Sequence, residues 1–485
     1  MVLKSILSFI KHTSIYAIGN AINSVLAFFL IPLYLRNLTI EEYGIYGLLI
    51  IVMQIVSRFG NLGIEASMMR SFYDYETVNN QGRVLTTSLS MMLTVLLVII
   101  SISVFLDELI NDLLFSDNNY SNLILYSIII GALRALRKLP QSILRIKNKS
   151  VLYTTLEVIN FVVGLSLLIF LLEIKNYGLK GLIVGTLCSM IFNTVVFYSF
   201  VIKYYRFGFI ISEVTKQLKF GAPLLPAAVS SLMFVFSGRF FLEHYHSLEL
   251  VGVFTLLFQL AAMLETFMGQ PIKLAWQPYF LKHFKENDSK NIFKNIVKIV
   301  AIASISIAIC MALFAEPLFS LFAKPDYLQA VKYLPIMLIF YSLWSIVSIY
   351  NGGVIATRKT TFIMVNFFIG AVISLMLSWF LIPEYKVLGA VIALCLSYLI
   401  MFINIQWFNY KLGFDYADWK SHWIVYLIGA FYLLISTLFY GNTGVLIFLM
   451  RLLVVISFPV TLYIFGILSN KQLNQVKRLL KNRAT

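Results

Sequence analysis

Charge is scarce in this chain, and negative charge is scarcest. Only 12% of the 485 residues are charged, with Asp+Glu 22 against Lys+Arg 38, while 60% are hydrophobic and the mean hydropathy is +0.86. Soluble domains carry about a quarter charged residues. So little charge leaves too much apolar surface for one core to hide, which excludes a soluble protein and makes lipid the solvent. The three cysteines, Cys188, Cys310 and Cys395, lie scattered in apolar segments, which excludes a disulfide framework or a CxxC centre. No GxxxxGK, HExxH or nucleophile elbow occurs, so nothing points to ATP hydrolysis or metalloprotease chemistry. His244-x-His246 alone is too little for a metal site. No cleavable signal is evident; residues 2–11 place Val2, Leu3, Ile6, Leu7 and Ile10 at helical spacing beside Lys4 and Lys11, as an interfacial helix would.

What is present is a series of long apolar runs. A helix needs about 20 such residues to cross the hydrocarbon, and that ruler gives about 14 spans. They centre on residues 15–35, 43–63, 84–106, 121–139, 151–172, 179–202, 221–242, 249–272, 295–315, 331–355, 362–382, 388–408, 422–440 and 444–467. Continuous runs of this length are helices; barrel strands alternate over about ten residues. The net charge of +16 sits in alternate loops. Lys203, Arg206, Lys216 and Lys219 belong to the basic set, as do Arg137, Lys138 and Arg145, while residues 107–118 hold Asp107, Glu108, Asp112 and Asp117 and no cation. Basic loops stay in the cytoplasm, which places both termini there and gives the positive charge a use other than nucleic acid.

The chain also repeats itself. GIYGLLIIV resembles GVFTLLFQL, and LKGLIVGTL resembles LGAVIALCL; Gly44 against Gly252 and Gly181 against Gly389 both give an offset of 208 (252 − 44 and 389 − 181). Two distant anchors with one offset indicate a duplicated six-helix unit. The expected architecture is an all-α polytopic membrane protein of two pseudo-symmetric six-helix lobes, residues 1–210 and 211–420. A terminal helix pair and basic tail, 421–485, follow. Repeats of this kind hold substrate near the midplane and alternate access to it.

Ionisable groups at membrane depth nominate a path. Gln54, Arg58, Asn61 and Glu65 follow i, i+4, i+7, i+11 on one helical face, as do Thr266, Gln270, Lys273 and Gln277. Asn20 and Asn23 stand in a neutral stripe of the first span. Arg58, Arg239 and Lys273 are the candidate anion contacts, since a planar guanidinium can bond two oxygens of a pyrophosphate. Arg134 is a further cavity candidate; each of these cations could instead snorkel or pair within the bundle, Lys273 with Glu265 for instance, and Arg134 is well placed to snorkel. Glu157, Glu265 and Glu65 are candidates for proton or cation coupling or for helix–helix hydrogen bonds. Arg451 is expected to serve only the terminal helix pair. No bound cofactor or metal is expected.

Four segments in register, IPLYLRNLTIEEYGIYGLL, FGAPLLPAAVSSLMFVFSGRFFL, LAWQPYFLK and TRKTTFIMVNFFIGAVISLMLSWFLIPEYKVLGAVIALCLSY, are spread over residues 31–398. They resemble the polysaccharide-transport flippases (Wzx type) of the multidrug/oligosaccharidyl-lipid/polysaccharide exporter (MOP) superfamily, which includes the MATE exporters. The resemblance implies a bacterial inner-membrane protein that flips undecaprenyl-pyrophosphate-linked oligosaccharide from the cytoplasmic to the periplasmic leaflet. The polymer served would be O-antigen of lipopolysaccharide, capsule or another polysaccharide. Membrane lipids and the polysaccharide polymerase or chain-length machinery are the implied partners, with no nucleic acid. Many members carry an acid before the arginine of the seventh span, where this chain has Gly238; Arg239 is then expected to be a freer cation. The competing readings are another exporter of the superfamily, for lipid II or drugs, and a polytopic O-antigen polymerase or ligase. The last resemble proteins with a large outer loop, which this spacing does not provide.

Overall fold

Where apolar runs of span length occur, the chain is helical. The computed structural model describes residues 30–115, 120–147, 149–221, 225–269, 272, 276, 280, 289–321, 323–357, 359, 361–414, 419–442 and 444–467. In order, the helices are α1 (Ile40–Asn61), α2 (Ile64–Asp74), α3 (Val78–Phe105), α4 (Asp107–Leu114), α5 (Ser121–Ile146), α6 (Ser150–Ile169), α7 (Gly178–Val201) and α8 (Ile211–Gly221). They continue with α9 (Leu225–Tyr245), α10 (Leu248–Leu264), α11 (Ser289–Phe319), α12 (Leu334–Ala356), α13 (Thr361–Lys411), α14 (Trp419–Thr437) and α15 (Val445–Ile464). Among the described residues, 9 helices are long and apolar enough to cross a membrane. Their outward faces are apolar too: on α15, Leu446, Leu453, Ile456 and Ile464 are all exposed. Surfaces of that kind belong in lipid.

Local chemistry sets the helix ends. Thr39 and Glu42 form a capping box at α1, the Thr39 hydroxyl accepting from Glu42 N at 3.1 Å and Glu42 Oε2 accepting from Thr39 N at 2.8 Å. The other carboxylate oxygen, Oε1, accepts from Leu179 N, so one side chain caps both α1 and α7. The long helix α13 covers two expected spans, and the chain reverses inside it at Lys386 (φ 50, ψ −129), just after Pro383. The repeat partner of Lys386 is Gly178, also left-handed at φ 51.

Contacts divide the chain into two compact units, Met1–Thr255 with Phe367–Leu394, and Leu256–Asn366 with Cys395–Thr485. In the first, α1 crosses α10 at bare backbone. A Cβ on Gly44 would overlap the Leu248 carbonyl oxygen, and one on Gly252 would overlap that of Ile40. The contact is reciprocal under the 208 offset (248 − 40 and 252 − 44), which only glycine at both places permits. In the second unit, Trp276 donates to the Ile349 carbonyl at 2.9 Å, Asn409 to that of Tyr350 at 2.9 Å, and Tyr426 to that of Ser342 at 3.2 Å.

Two sequence expectations need correction here. The fourth span, expected over 121–139, runs to Ile146, so Arg137, Lys138 and Arg145 stand on α5 rather than in a loop. The stripe from Gln54 to Glu65 is not one continuous helix, because Leu62 (φ 44) and Gly63 (φ 72) end α1 and begin α2.

Candidate functional site

The site begins with a proline that fails to end a helix. Pro140 lies inside α5, where it removes an N–H and orphans the carbonyl four residues earlier, on Leu136. The Tyr198 hydroxyl of α7 donates to that carbonyl at 3.0 Å, replacing the lost bond. The helix therefore continues for almost two more turns, and Arg134, Lys138, Gln141 and Arg145 fall on one face at i, i+4, i+7, i+11. That is the same spacing as the stripe on α1.

Small residues bring the two stripes together. A Cβ on Gly131 of α5 would stand 2.6 Å from the Met53 carbonyl oxygen, and one on Gly60 of α1 would stand 3.3 Å from Ala135. With the helices this close, Glu65 meets α5: its Oε1 accepts from Ser142 Oγ at 2.7 Å and from Arg145 Nη2 at 2.7 Å. Arg145 Nη2 also reaches Ser142 Oγ at 2.8 Å, closing a three-membered cycle. Asn61 Oδ1 accepts from Glu65 N at 3.1 Å, bridging the break after α1. On the α6 side, Glu157 is buried; Gln141 Nε2 donates to its Oε1 at 2.5 Å, and Arg137 pairs with its Oε2 at 3.7 Å. Lys138 lies within electrostatic reach of Glu65, Arg58 and Arg137, and Arg134 within reach of Tyr34 and Tyr46. Arg58 is exposed and Gln54 half-buried. The α1–α2–α5–α6 face thus carries five cations, Arg58, Arg134, Arg137, Lys138 and Arg145, against two carboxylates, Glu65 and Glu157. Two of the five, Arg137 and Arg145, pair with those carboxylates, which leaves the face net positive.

The family model described as "Polysaccharide biosynthesis protein" matches residues 9–284, more than half of the chain. The chain belongs to that family. A second model, MatE, matches residues 284–380. No curated protein gives a significant match. Among solved structures, this polysaccharide-biosynthesis family member is similar to "Lipid II flippase MurJ, inward closed conformation" at TM-score 0.76 and 15% identity, over 93% of this chain and 99% of that one. It is also similar to an inward-facing multidrug resistance MATE family transporter of the MOP superfamily, at TM-score 0.66 and 12% identity, over 83% and 94%. An outward-facing multidrug resistance MATE family transporter gives TM-score 0.60 and 12% identity, over 83% and 96%. At these identities the likeness is one of fold: a multi-pass, all-helical membrane protein with the architecture seen in MurJ and the MATE transporters.

The remaining candidates lie apart from that face or outside the described residues. Arg239 is 2% exposed; its Nε donates to Thr255 Oγ1 at 3.1 Å, its Nη1 donates to the Val235 carbonyl at 3.1 Å, and it lies over the Phe254 ring. It is held in the α9–α10 packing, not freed by the missing acid. Gly238 is itself explained: a Cβ there would stand 2.8 Å from the Phe254 ring, which occupies an acid's place. Glu265 opens the π-helical turn Glu265–Gly269, within electrostatic reach of Tyr398. Asn20, Asn23, Gln270 and Lys273 lie outside the described residues. Arg451 reaches beyond the terminal pair, to Glu316 of α11 at 3.2 Å. His246 bonds the Ile382 carbonyl at 2.8 Å and His244 stacks on Phe240. Among the described residues, no group of three or more His, Cys, Asp or Glu is placed to hold a metal ion. What sequence reading misses is the far end of α5: a span of 121–139 stops at Pro140, although the cations around it repeat the spacing found on α1.

Proposed function

We propose that this protein is a flippase that carries undecaprenyl-pyrophosphate-linked oligosaccharide repeat units from the cytoplasmic to the periplasmic leaflet by alternating access. The observation that carries the reading is the α1–α5 face, with five cations against two carboxylates in otherwise apolar helices. A pyrophosphate supplies the missing negative charge and the bidentate geometry arginine prefers. Family membership and the fold shared with a lipid II flippase support a lipid-linked anionic cargo. In this reading about 14 spans form two repeats, 1–210 and 211–420, with 421–485 as an added pair. The reciprocal packing of Gly44 and Gly252 supports the duplication. Both termini lie in the cytoplasm of a bacterial inner membrane, and the polymerase and chain-length machinery receive the product. Arg58, Lys138 and Arg145 bind the pyrophosphate, and Gln54, Asn61 and Arg134 line the approach. Coupling to a proton or cation falls to Glu157 or Glu265.

The test is translocation of a fluorescent lipid-pyrophosphate oligosaccharide in proteoliposomes. The parent is expected to translocate, and Arg58→Ala to lower the rate about tenfold or more with the fold intact, since a charge-assisted hydrogen bond contributes about 1.5–3 kcal/mol. Arg239→Ala is expected to lower thermal stability first. A parent that lengthens or transfers the glycan, or an Arg58→Ala variant at full rate, overturns the reading or its site respectively.

A further inference from the structure

One carboxylate of the charged face, Glu65, is held differently from Glu316, the partner of Arg451. Arg451 and Glu316 are sealed, their side chains 3% and 12% exposed, and Arg451 also donates to the Phe439 and Asn442 carbonyls. Arg145 and Glu65 are open, 42% and 21% exposed, and the Arg145 partners are side-chain oxygens, of Glu65 and Ser142. An open pair gains little net free energy and exchanges readily. Glu65 also stands in the first turn of α2, directly after the Leu62–Gly63 break, so it can swing without unwinding α1. Its backbone N–H is anchored separately, by Asn61. Around it, Lys138 and Arg58 keep the local charge positive whichever anion is present.

In this cycle Glu65 Oε1 occupies the position of an anionic oxygen: it accepts at 2.7 Å from a guanidinium and at 2.7 Å from a hydroxyl. A phosphate oxygen would accept the same two bonds. Resting on the flippase reading above, we infer that Glu65 is a resident counter-ion for Arg145, displaced when the cargo pyrophosphate enters and returning to expel it. Glu65 is then a positioning residue that sets affinity and release, rather than an ion-coupling residue. With the cargo bound, Arg145 pairs with phosphate, and the displaced Glu65 carboxylate, already 21% exposed, is met by water and by Lys138 and Arg58 beside it. It also makes the site specific: a neutral lipid cannot take Glu65's place on Arg145, and a cationic drug would meet Arg58 and Lys138.

The test uses the full-length protein in nanodiscs, with binding of inorganic pyrophosphate measured by calorimetry. Glu65→Gln, which keeps shape and removes charge, is expected to bind about tenfold more tightly than the parent, and Arg145→Gln about tenfold more weakly. The double variant is expected to match Arg145→Gln, because Glu65 acts through Arg145. In proteoliposomes, Glu65→Gln should lower KM for the lipid-linked pyrophosphate and also lower the maximal rate, a split that a merely structural residue does not give. Glu65→Asp should restore both. If Glu65→Gln does not fold, Glu65→Ala, which removes the same carboxylate and leaves both donors in place, is expected to tighten binding about tenfold. Unchanged or weaker binding by Glu65→Gln (or by Glu65→Ala in its place) overturns the inference, as does tightening of equal size in the Arg145→Gln background or no pyrophosphate binding by parent and variant alike. A parent that translocates while Glu65→Gln is unchanged keeps the flippase and removes the counter-ion. A parent that binds pyrophosphate with this pattern yet moves no lipid keeps the counter-ion and removes the flippase.

Discussion

Arg451 shows how a single residue changes meaning once its neighbours are known. Its place in the last span suggests service to the terminal helix pair, but its guanidinium pairs with Glu316 of α11. Glu316 Oε1 in turn accepts from Gly441 N at 2.7 Å, so the pair fastens the turn of residues 439–442 to α11. Removing one partner of a buried pair costs about 3–5 kcal/mol, because the other charge is left without compensation. Arg451→Met is therefore expected to lower stability by about that much, and Arg451→Met with Glu316→Gln to recover most of the loss. Unfolding in SDS titration measures both. Equal destabilisation by the single and double variants would show that packing, not charge, carries the effect.

Helix packing in this protein depends on two devices that sequence patterns barely register. One is the repair of Pro140 by Tyr198. Tyr198→Phe should cost about 1–3 kcal/mol by leaving the Leu136 carbonyl unpaired. In a Pro140→Ala background, where an N–H is available again, the same change should cost clearly less. A full cost in both backgrounds would detach Tyr198 from the proline. The other device is the glycine crossing of α1 and α10. Gly44→Ala and Gly252→Ala each place a methyl on backbone oxygen, and overpacking of this sort costs about 1–3 kcal/mol. Once the helices have parted for one methyl they accommodate the second, so the double variant is expected to cost less than the sum. Thermal unfolding of the three variants distinguishes shared from independent strain.

On the scale of the whole molecule, α8 stands at the start of the second sequence repeat, and it is built inside out. Glu213 and Gln217 are fully buried against α2 and α3, bonded to Tyr75 and Ser88, while Ile211 and Leu218 face outward. Burial by itself would push the Glu213 carboxyl up, but donors from Lys216, Ser71 and Tyr75 outweigh it and hold the group below the usual carboxylate range. Lys216 is raised in turn by the same bond. A lowered carboxylate contributes stability above its unfolded value and loses it as pH falls through the folded value; a raised lysine loses its share as pH climbs past its own. Docking of α8 is thus expected to hold through neutral pH and weaken below about pH 4. Hydrogen exchange of residues 202–221 against pH reads this directly, and protection unchanged down to pH 3 would refute it.

The sequence by itself determined the solvent, the helices and the cationic character of the protein. Apolar run length against bilayer thickness leaves little freedom in where helices stand, and the shared offset of Gly44 and Gly252 marks the repeat without any coordinates. Gln54, Arg58 and Asn61 are legible as a stripe because one helix's spacing is a one-dimensional property, whereas Glu65 joins them across the Leu62–Gly63 break. Which charges meet is not. The Glu65–Arg145 and Glu157–Arg137 pairs join residues remote or offset in the chain, and α5 continues past Pro140 only because Tyr198 of another helix supplies a donor. The sequence leaves Arg239 a free cation, yet it is buried among Thr255, Val235 and Phe254, since a local pattern fixes which face a side chain is on but not what stands opposite. Partners across helices are set by packing, by where glycine lets two backbones approach, and only the tertiary structure decided them.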